Sequence, residues 1–272
     1  ASVINAPVLL GNVVDASTGG DGDLTIDALM CSVASACNTV SKIGDGDLTL
    51  KVEGPANSQL YNYEMIVTGG RLVLGADNSI PLTIESGASL DLAGYDLNID
   101  DVYVSGSGFN SLGAVTNSSQ TLSVIQGLTL QDNASLGGSG AIKMLLTADP
   151  GSGAHLDGVG HVVTKVGTGE FTLATNTAPT VNAWIIDEGI LTVGNNFNVP
   201  TSLTVNSGGA VNLTELIVNY DDWTFPISIA GTGVAESGAL FSTSTNSEMN
   251  YTFGTSTDPI TLLDHASINF AG

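Results

Sequence analysis

The stretch that decides the fold is Leu82-Thr-Ile-Glu-Ser-Gly-Ala-Ser-Leu-Asp-Leu92, because a second version, Leu203-Thr-Val-Asn-Ser-Gly-Gly-Ala-Val-Asn-Leu213, follows it 203 − 82 = 121 residues later. In both versions apolar residues alternate with polar ones, a Ser-Gly pair interrupts the alternation, and the alternation then resumes. This pattern predicts a strand, a turn and a second strand. The chain therefore repeats a unit built from β-strands.

Matches on both sides extend the repeat. Gly44-Asp-Gly-Asp-Leu-Thr-Leu50 matches Gly167-Thr-Gly-Glu-Phe-Thr-Leu173 at 123 residues, and Leu128–Leu136 matches Ile260–Ile268 at 132. Because the offset changes between strands and not within them, the insertions belong to surface loops, which stacked repeats tolerate. We predict one continuous solenoid with an N-terminal strand and capping segment (1–43), a first copy (44–166) and an incomplete second copy (167–272).

The composition favours an elongated solenoid over a compact domain. The 272 residues include 34 glycines and only 6% aromatic residues. Many turns and few bulky side chains suit narrow cores filled by aliphatic residues, which are typical of solenoids. The predicted fold class is all-β.

Residues 27–40 show a different pattern. Leu29, Met30, Val33 and Cys37 recur at helical spacing, and Asp27 is a candidate N-cap. We predict a short amphipathic helix here that covers the first open coil of the solenoid.

The two cysteines, Cys31 and Cys37, fall in this segment. They fit a single disulfide formed in an oxidising compartment, and the alternative is two buried free thiols. The chain starts with Ala1 and not with Met, which is consistent with a removed signal peptide. We expect an extracellular or cell-surface location.

The net charge limits the classes of molecule that the protein is expected to bind. Five Lys and Arg against 27 Asp and Glu leave a net charge of −22. This argues against nucleic acid and anionic membrane surfaces as partners. No apolar run approaches the roughly 20 residues of a membrane-spanning helix, so no membrane span is predicted.

Three glycine-punctuated blocks carry a family resemblance: Thr164-Lys-Val-Gly-Thr-Gly-Glu-Phe-Thr-Leu173, Asp187-Glu-Gly-Ile-Leu-Thr-Val-Gly194 and Leu203 to Leu213, with Gly69-Gly-Arg-Leu-Val-Leu-Gly75 as a looser match. From about residue 44 onward, the chain resembles the autotransporter-associated β-strand repeat, also called the passenger-associated transport repeat, of bacterial surface proteins. The resemblance implies a right-handed parallel β-helix that acts as a stalk, adhesin scaffold or fibre. It implies no active site, because the motif consists of turn glycines and core aliphatic residues.

Candidate metal ligands are the turn aspartates Asp21, Asp23, Asp45 and Asp47. Gly19-Gly-Asp-Gly-Asp-Leu-Thr-Ile-Asp27 approaches a calcium-binding nonapeptide but has Leu24 where that motif needs a carboxylate. Stacking on successive coils would let the four aspartates share a calcium ion. The alternative is solvated turn residues that bond their own backbone and need no cofactor.

No catalytic residue is predicted. The acidic pairs Asp100-Asp101 and Asp221-Asp222 raise the possibility of glycoside hydrolysis. They occupy the same place in both copies, however, and adjacent strand residues point to opposite faces. We therefore expect a protein that is not an enzyme.

Four sequons, at Asn117, Asn133, Asn212 and Asn250, are candidate N-glycosylation sites. Aromatic residues such as Trp184 offer either a sugar-stacking face or ordinary cross-strand stacking.

The sequence predicts a non-enzymatic extracellular structural or adhesive β-helix module. It belongs either to a cell-surface stalk or to a fibre whose subunits associate through the ends of the solenoid. The second copy is incomplete, and the apolar segment from Val8 to Val14 is suited to strand addition at such an end. The alternative is a carbohydrate-binding or carbohydrate-active β-helix with surface glycans as partners.

Overall fold

The computed structural model describes residues 2–4, 8–10, 13–17, 24–26, 29–31, 39–51, 64–100, 102–146, 155–175, 179–193, 201–213, 225–243 and 260–270. Nearly all regular structure in these ranges is β-strand. The helical elements within them are two short 3-10 segments, η1 (Phe109–Ser111) and η2 (Val234–Glu236).

The strands, in chain order, are β1 (Ser2–Ile4), β2 (Val8–Leu10), β3 (Val13–Ser17), β4 (Leu24–Ile26), β5 (Leu29–Cys31), β6 (Thr39–Ile43), β7 (Asp47–Leu50), β8 (Glu64–Val67), β9 (Gly70–Leu74), β10 (Leu82–Ile84), β11 (Ala88–Asp91), β12 (Val102–Gly106), β13 (Val115–Asn117), β14 (Ser123–Ile125), β15 (Leu128–Gly138), β16 (Ile142–Leu146), β17 (Leu156–Asp157), β18 (Val162–Lys165), β19 (Glu170–Thr175), β20 (Ala183–Ile186), β21 (Gly189–Val193), β22 (Ser202–Val205), β23 (Gly209–Leu213), β24 (Ile227–Gly231), β25 (Leu240–Ser242), β26 (Ile260–Ala266) and β27 (Ile268–Phe270).

The strands stack in parallel ladders. The main ladder passes in order through β3, β6, β8, β10, β12, β15, β18, β20, β22, β24 and β26. A second runs through β4, β7, β9, β11, β13 and the end of β15, and a third through β14, β16, β19, β21, β23, β25 and β27. Because the chain returns to the same ladder after each coil, the fold is a parallel β-solenoid.

The register explains the repeat length. Leu82 lies in β10 and Leu203 in β22, and the pairings β10 to β12, β15, β18, β20 and β22 separate them by five steps. The 121-residue offset therefore corresponds to five coils. The Ser-Gly pair forms the corner between strands: Gly87 and Gly208 have φ values of +91° and +106°. The predicted strand, turn and strand is confirmed.

Irregular features of the backbone recur in the second copy. In η1, Asn110 has φ +54°, and its counterpart 125 residues later, Ala235 in η2, has φ +52°. The strand before each segment pairs with the next coil through the same register shift, at Gly106 and at Gly231. The two copies therefore share their positive φ values and their register shift as well as their regular strands.

The core is a narrow column of aliphatic side chains. Alternate residues of the strands point inward, as Leu82 and Ile84 do in β10, so each coil buries its apolar face against its neighbours. The rings of Phe171 and Trp184 pack within this column with centroids 6.1 Å apart. Trp184 is therefore a core residue and does not offer a sugar-stacking surface.

The predicted N-terminal helix is wrong where the structure describes it. Leu29–Cys31 is a strand that pairs in parallel with Val8–Leu10, and Thr39–Ile43 is a strand of the main ladder. Residues 27–28 and 32–38 lie outside the described residues. Spacing within one segment does not reveal pairing with a distant strand, and that pairing determines the conformation here.

The ladder crosses both predicted copy boundaries. β6 ends beside the boundary at 43 and pairs with β8 beyond it, and β18 pairs with β20 across the boundary at 166. Within the described residues there is no helix long and apolar enough to cross a membrane.

Candidate functional site

A buried lysine closes a corner just before the predicted start of the first copy. The side chain of Lys42 is fully buried, and its Nζ donates hydrogen bonds to the carbonyl oxygens of Ile43 (3.3 Å), Gly44 (2.7 Å) and Gly69 (2.8 Å). Gly69 belongs to the next coil. The lysine therefore links the corners of two successive coils.

The same arrangement recurs 165 − 42 = 123 residues later, just before the predicted start of the second copy. Lys165 is 1% exposed, and its Nζ donates to the carbonyl oxygens of Val166 (2.9 Å), Gly167 (2.6 Å) and Glu188 (3.1 Å). Two of the five basic residues in the chain are thus used inside the solenoid. Buried lysines need such partners, because an unpaired buried charge is costly.

Burial shifts the titration of both lysines. It lowers the pKa of Lys165 to about 8, against an opposing effect of the Glu188 carboxylate. It also lowers the pKa of Lys42, which Asp47 and Asp45 oppose. Both ammonium groups point at backbone carbonyls, so their role is to hold the corners together.

The predicted metal ligands are only partly described. Asp47 receives hydrogen bonds from the guanidinium of Arg71 on the next coil, with Nε 2.8 Å from Oδ1 and a second contact from Nη2 to Oδ2. Asp45 is exposed at the corner. Asp21 and Asp23 lie outside the described residues. No cluster of three or more potential metal ligands occurs in the part of the chain that the structure describes, and calcium binding stays a prediction.

A polar groove with a volume of about 410 Å³ crosses several coils of the first copy and the first two coils of the second. Its lining combines hydroxyl groups, charged side chains, bare glycine backbone and a few apolar residues: Arg71, Ser89, Asp91, Ser111, Leu112, Thr116, Ser118, Gly138, Ser139, Val166, Gly167, Thr168 and Glu188.

One wall of the groove is the loop that contains η1. Ser89 holds this loop in place, since its Oγ donates to the carbonyl oxygen of Gly113 (2.7 Å) and accepts from the amide of Phe109 (2.7 Å). Gly108 allows the loop to close, because a Cβ there would lie 1.9 Å from the Gly113 oxygen. The loop therefore covers the strand below it.

The floor is fixed by Asp91. Its Oδ1 accepts hydrogen bonds from the amides of Ala93 and of Ser118 on the next coil, each at 3.0 Å. Asp91 is 3% exposed. Its carboxylate thus positions the backbone around the groove, while the hydroxyl of Ser118 is left on the exposed side.

The second copy does not reproduce this lining. At the equivalent positions Arg71 is replaced by Ile190, Ser89 by Ala210, Asp91 by Asn212 and Thr116 by Phe241, at offsets of 119, 121, 121 and 125. These substitutions remove hydroxyl and charged groups and add a large ring. These four polar residues are therefore particular to the part of the groove that the first copy forms.

The candidate N-glycosylation sites differ in how far their asparagine side chains are exposed. Asn117 is fully buried, and its Nδ2 donates to the carbonyl oxygens of Thr121 and Ala141. Asn212 is also buried, and its amide contacts Thr243. A glycan fits neither site in the folded state. Asn133 is exposed, and its Oδ1 accepts a hydrogen bond from the amide of Val162 (2.8 Å); glycosylation there stays a prediction.

Three sets of predicted residues lie wholly or partly outside the described residues. These are Asn250, the side chains of the cysteine pair Cys31 and Cys37, and Asp101 with Asp221 and Asp222.

The last described coil has an open apolar face. Leu262 is 65% exposed and Ile268 is 43% exposed, whereas their counterparts 132 residues earlier, Leu130 and Leu136, are 4% and 0% exposed. In the first copy the next coil, with β17 and β18, pairs with the strand that holds Leu130 and Leu136. In the first copy, therefore, a further coil of the solenoid covers the equivalent face.

No family model, curated protein or solved structure matches the chain. The class of protein that the geometry defines is the parallel β-solenoid. Because the chain repeats itself, residues of one copy can be compared with the equivalent residues of the other.

Sequence reasoning missed the groove and the lysine corners. The signals were Lys42-Ile-Gly44 and Lys165-Val-Gly167 at the repeat offset, together with Arg71, Ser89 and Thr116, at whose equivalent positions the second copy has apolar residues.

Proposed function

We propose that the chain is a non-enzymatic structural or adhesive β-solenoid module of an extracellular or cell-surface protein, extended end to end by further coils. The observation that carries the proposal is the open face around Leu262 and Ile268, whose counterparts are buried by a following coil. Covering such a face removes apolar surface from water, which is the main driving force for association.

The two ends of the main ladder support this arrangement. Among the described strands, β26 pairs with β24 alone and β3 pairs with β6 alone. Addition of β3 from a second copy to β26 would continue the ladder with parallel strands. Further repeats of a longer chain would cover the same face in the same way.

A structural role is also consistent with the use of the charged groups. Lys42 and Lys165 bind corner carbonyls, Arg71 binds Asp47, and Asp91 binds two backbone amides. These groups hold coils together. The acidic surface would keep neighbouring rods apart except at their ends.

Sedimentation velocity and electron microscopy over a concentration series test the proposal. We expect rods longer than one chain, which disappear in Leu262→Lys because a charge would be buried in the contact. Val159→Lys is the matched control, since Val159 is 81% exposed in a loop between β17 and β18. Wild-type protein that stays monomeric at all concentrations would sink the self-assembling version, as would assembly of Leu262→Lys to the wild-type extent.

Carbohydrate binding is the second candidate function. The polar groove is the observation that favours it.

A further inference from the structure

The polar groove is elongated along the solenoid axis. Its lining residues come from six successive coils, from Arg71 through β11, β13 and the end of β15 to Thr168 and Glu188. Five steps of about 4.8 Å give a length on the order of 24 Å. The volume of about 410 Å³ falls in the range of small-molecule sites.

The groups exposed in the groove are mainly hydroxyls. Ser118, Ser139 and Thr168 lie on three consecutive coils and are exposed, and the hydroxyl of Ser139 also donates to the carbonyl oxygen of Ser118 at 3.5 Å. A hydroxyl both donates and accepts hydrogen bonds, so a row of hydroxyls is best matched by a ligand that carries hydroxyls itself. Leu112, 58% exposed on the loop wall, adds an apolar contact.

The charges of the groove disfavour ionic ligands. The guanidinium of Arg71 is bound to Asp47, and the chain carries a net charge of −22, so acidic polymers are repelled. The carboxylate of Asp91 is used by two backbone amides. Glu188 alone does not make a cation site, since hard cations favour several oxygens at once.

We propose that this groove binds an uncharged glycan chain lying along the solenoid axis. The hydroxyls of Ser118, Ser139 and Thr168 hydrogen-bond successive sugar units at the spacing of the coils, and Leu112 packs against the C–H face of one sugar. Glu188 accepts hydrogen bonds from sugar hydroxyls at one end.

The glycan-binding site rests on the second candidate function, carbohydrate binding, and does not rest on end-to-end assembly. The groove involves coils between Arg71 and Glu188, whereas the open face lies at Leu262 and Ile268. Failure of one proposal therefore leaves the other standing.

Isothermal titration with cellohexaose, mannohexaose, maltohexaose and chitohexaose tests the proposal, with hexagalacturonate as the acidic comparison. We expect at least one neutral oligosaccharide to bind with a dissociation constant below about 1 mM and hexagalacturonate to bind at least tenfold more weakly. Absence of binding by all four neutral oligosaccharides would overturn the site, as would tighter binding of the acidic one.

A matched pair of tryptophan variants locates the binding. Ser118→Trp fills the groove, and Thr243→Trp places the same ring at the equivalent position of the second copy. Both residues are exposed, and the amide of each bonds the side chain at the equivalent position, Asp91 or Asn212. We expect at least tenfold weaker binding for Ser118→Trp and less than a twofold change for Thr243→Trp.

Urea unfolding of both variants shows that they are folded. If Ser118→Trp does not fold, Thr116→Phe replaces it, because the second copy holds Phe241 at that position. Wild-type affinity in the folded groove variant, or equal loss in Thr243→Trp, would contradict the assignment.

Discussion

Lys42 and Lys165, 123 residues apart, make the same three contacts: each donates from Nζ to the carbonyl oxygens of the two residues that follow it and to one carbonyl of the next coil. An α-helix satisfies its backbone internally, but at each of these corners three backbone carbonyl oxygens converge on one buried side chain. A lysine placed there supplies three donors at one point. The lysine is therefore part of the repeat unit in the same sense as the turn glycines.

Replacing Lys165 by methionine should destabilise the protein by about 1–3 kcal/mol, the usual cost of leaving buried polar groups without partners. Methionine keeps the length and apolar stem of lysine but removes the donors. Lys51→Met is the control, because Lys51 is exposed and loses the same charge. Urea unfolding measures both. Equal free energies of unfolding for the two variants would show that the corner bonds do not contribute to stability.

The lowered pKa of Lys165 predicts a pH dependence of stability. Its folded-state value of about 8 lies below the roughly 10.4 of an unfolded lysine. Below about pH 8 the lysine is protonated in both states, and the folded state bears the full cost of burying the charge. Between the two values the unfolded state binds more protons, so stability from this group rises with pH.

The measurement is the free energy of unfolding of wild type minus that of Lys165→Met, from about pH 7 to about pH 10. Taking the difference removes groups that titrate in both proteins. We expect it to move in favour of the wild type as the pH rises. A difference that is flat, or that falls, would mean that burial does not disfavour the charged lysine.

The fold was predictable because its main signal is local and repeated. The alternation in Leu82–Leu92 gives the two strands, the Ser-Gly pair gives the corner, and recurrence at 121 residues indicates stacking. The segment at Leu29–Cys31 was not predictable in this way. Its apolar residues satisfy helical spacing, but pairing with Val8–Leu10 makes it a strand, and a spacing argument within one segment contains no information on that partner.

The groove and the lysine corners were hidden for a related reason. Ser118, Ser139 and Thr168 are 21 and 29 residues apart, and these unequal intervals become one row only when the coil lengths are known. Lysine is normally a surface residue. Nothing in Lys42 alone indicates that three carbonyls surround it, although its recurrence before Gly167 is visible once the two copies are aligned.

Glycine is required at position 189 for two separate reasons, its backbone conformation and the lack of space for a Cβ. Gly189 has φ +75°, and a Cβ there would lie 2.5 Å from the Gly167 oxygen and 2.8 Å from Nζ of Lys165. Gly160 has φ +84°, but its Cβ would meet nothing within 4 Å. Gly160→Ala therefore tests the backbone conformation alone, which costs about 1–2 kcal/mol.

Gly189→Ala should cost about 1–3 kcal/mol more than Gly160→Ala, because overpacking is added to the same conformational cost. Thermal and urea unfolding of the two variants give the comparison. We also expect Gly189→Ala to weaken the hydrogen bonds of Lys165, so its effect should be less than additive with Lys165→Met. Equal destabilisation by the two alanines would show that the close approach at Gly189 is relieved without cost.

The five-coil period makes a prediction about deletion. Removing residues 82–202 joins Pro81 to Leu203 and takes out 121 residues. In the intact chain Leu82 pairs with Met65, and Leu203 pairs with Trp184. In the shortened chain Leu203 takes the place of Leu82 beside Met65, and Gly209 takes the place of Ala88 beside Gly70. The core face of every strand is preserved, so the shortened chain should fold with fewer coils.

The matched control removes 92–202, which joins Asp91 to Leu203. This cut places two strands from different sides of a coil end to end, and the corner that separates them is lost. Circular dichroism and urea unfolding distinguish the outcomes. We expect a cooperative transition for the five-coil deletion, with a smaller urea m-value because less surface is exposed on unfolding, and no cooperative transition for the control.

If both deletions fold equally well, the 121-residue repeat in the sequence does not correspond to a repeating unit of the structure. If neither folds, the coils outside the deletion depend on specific partners within it, and stability does not accumulate coil by coil as a solenoid requires.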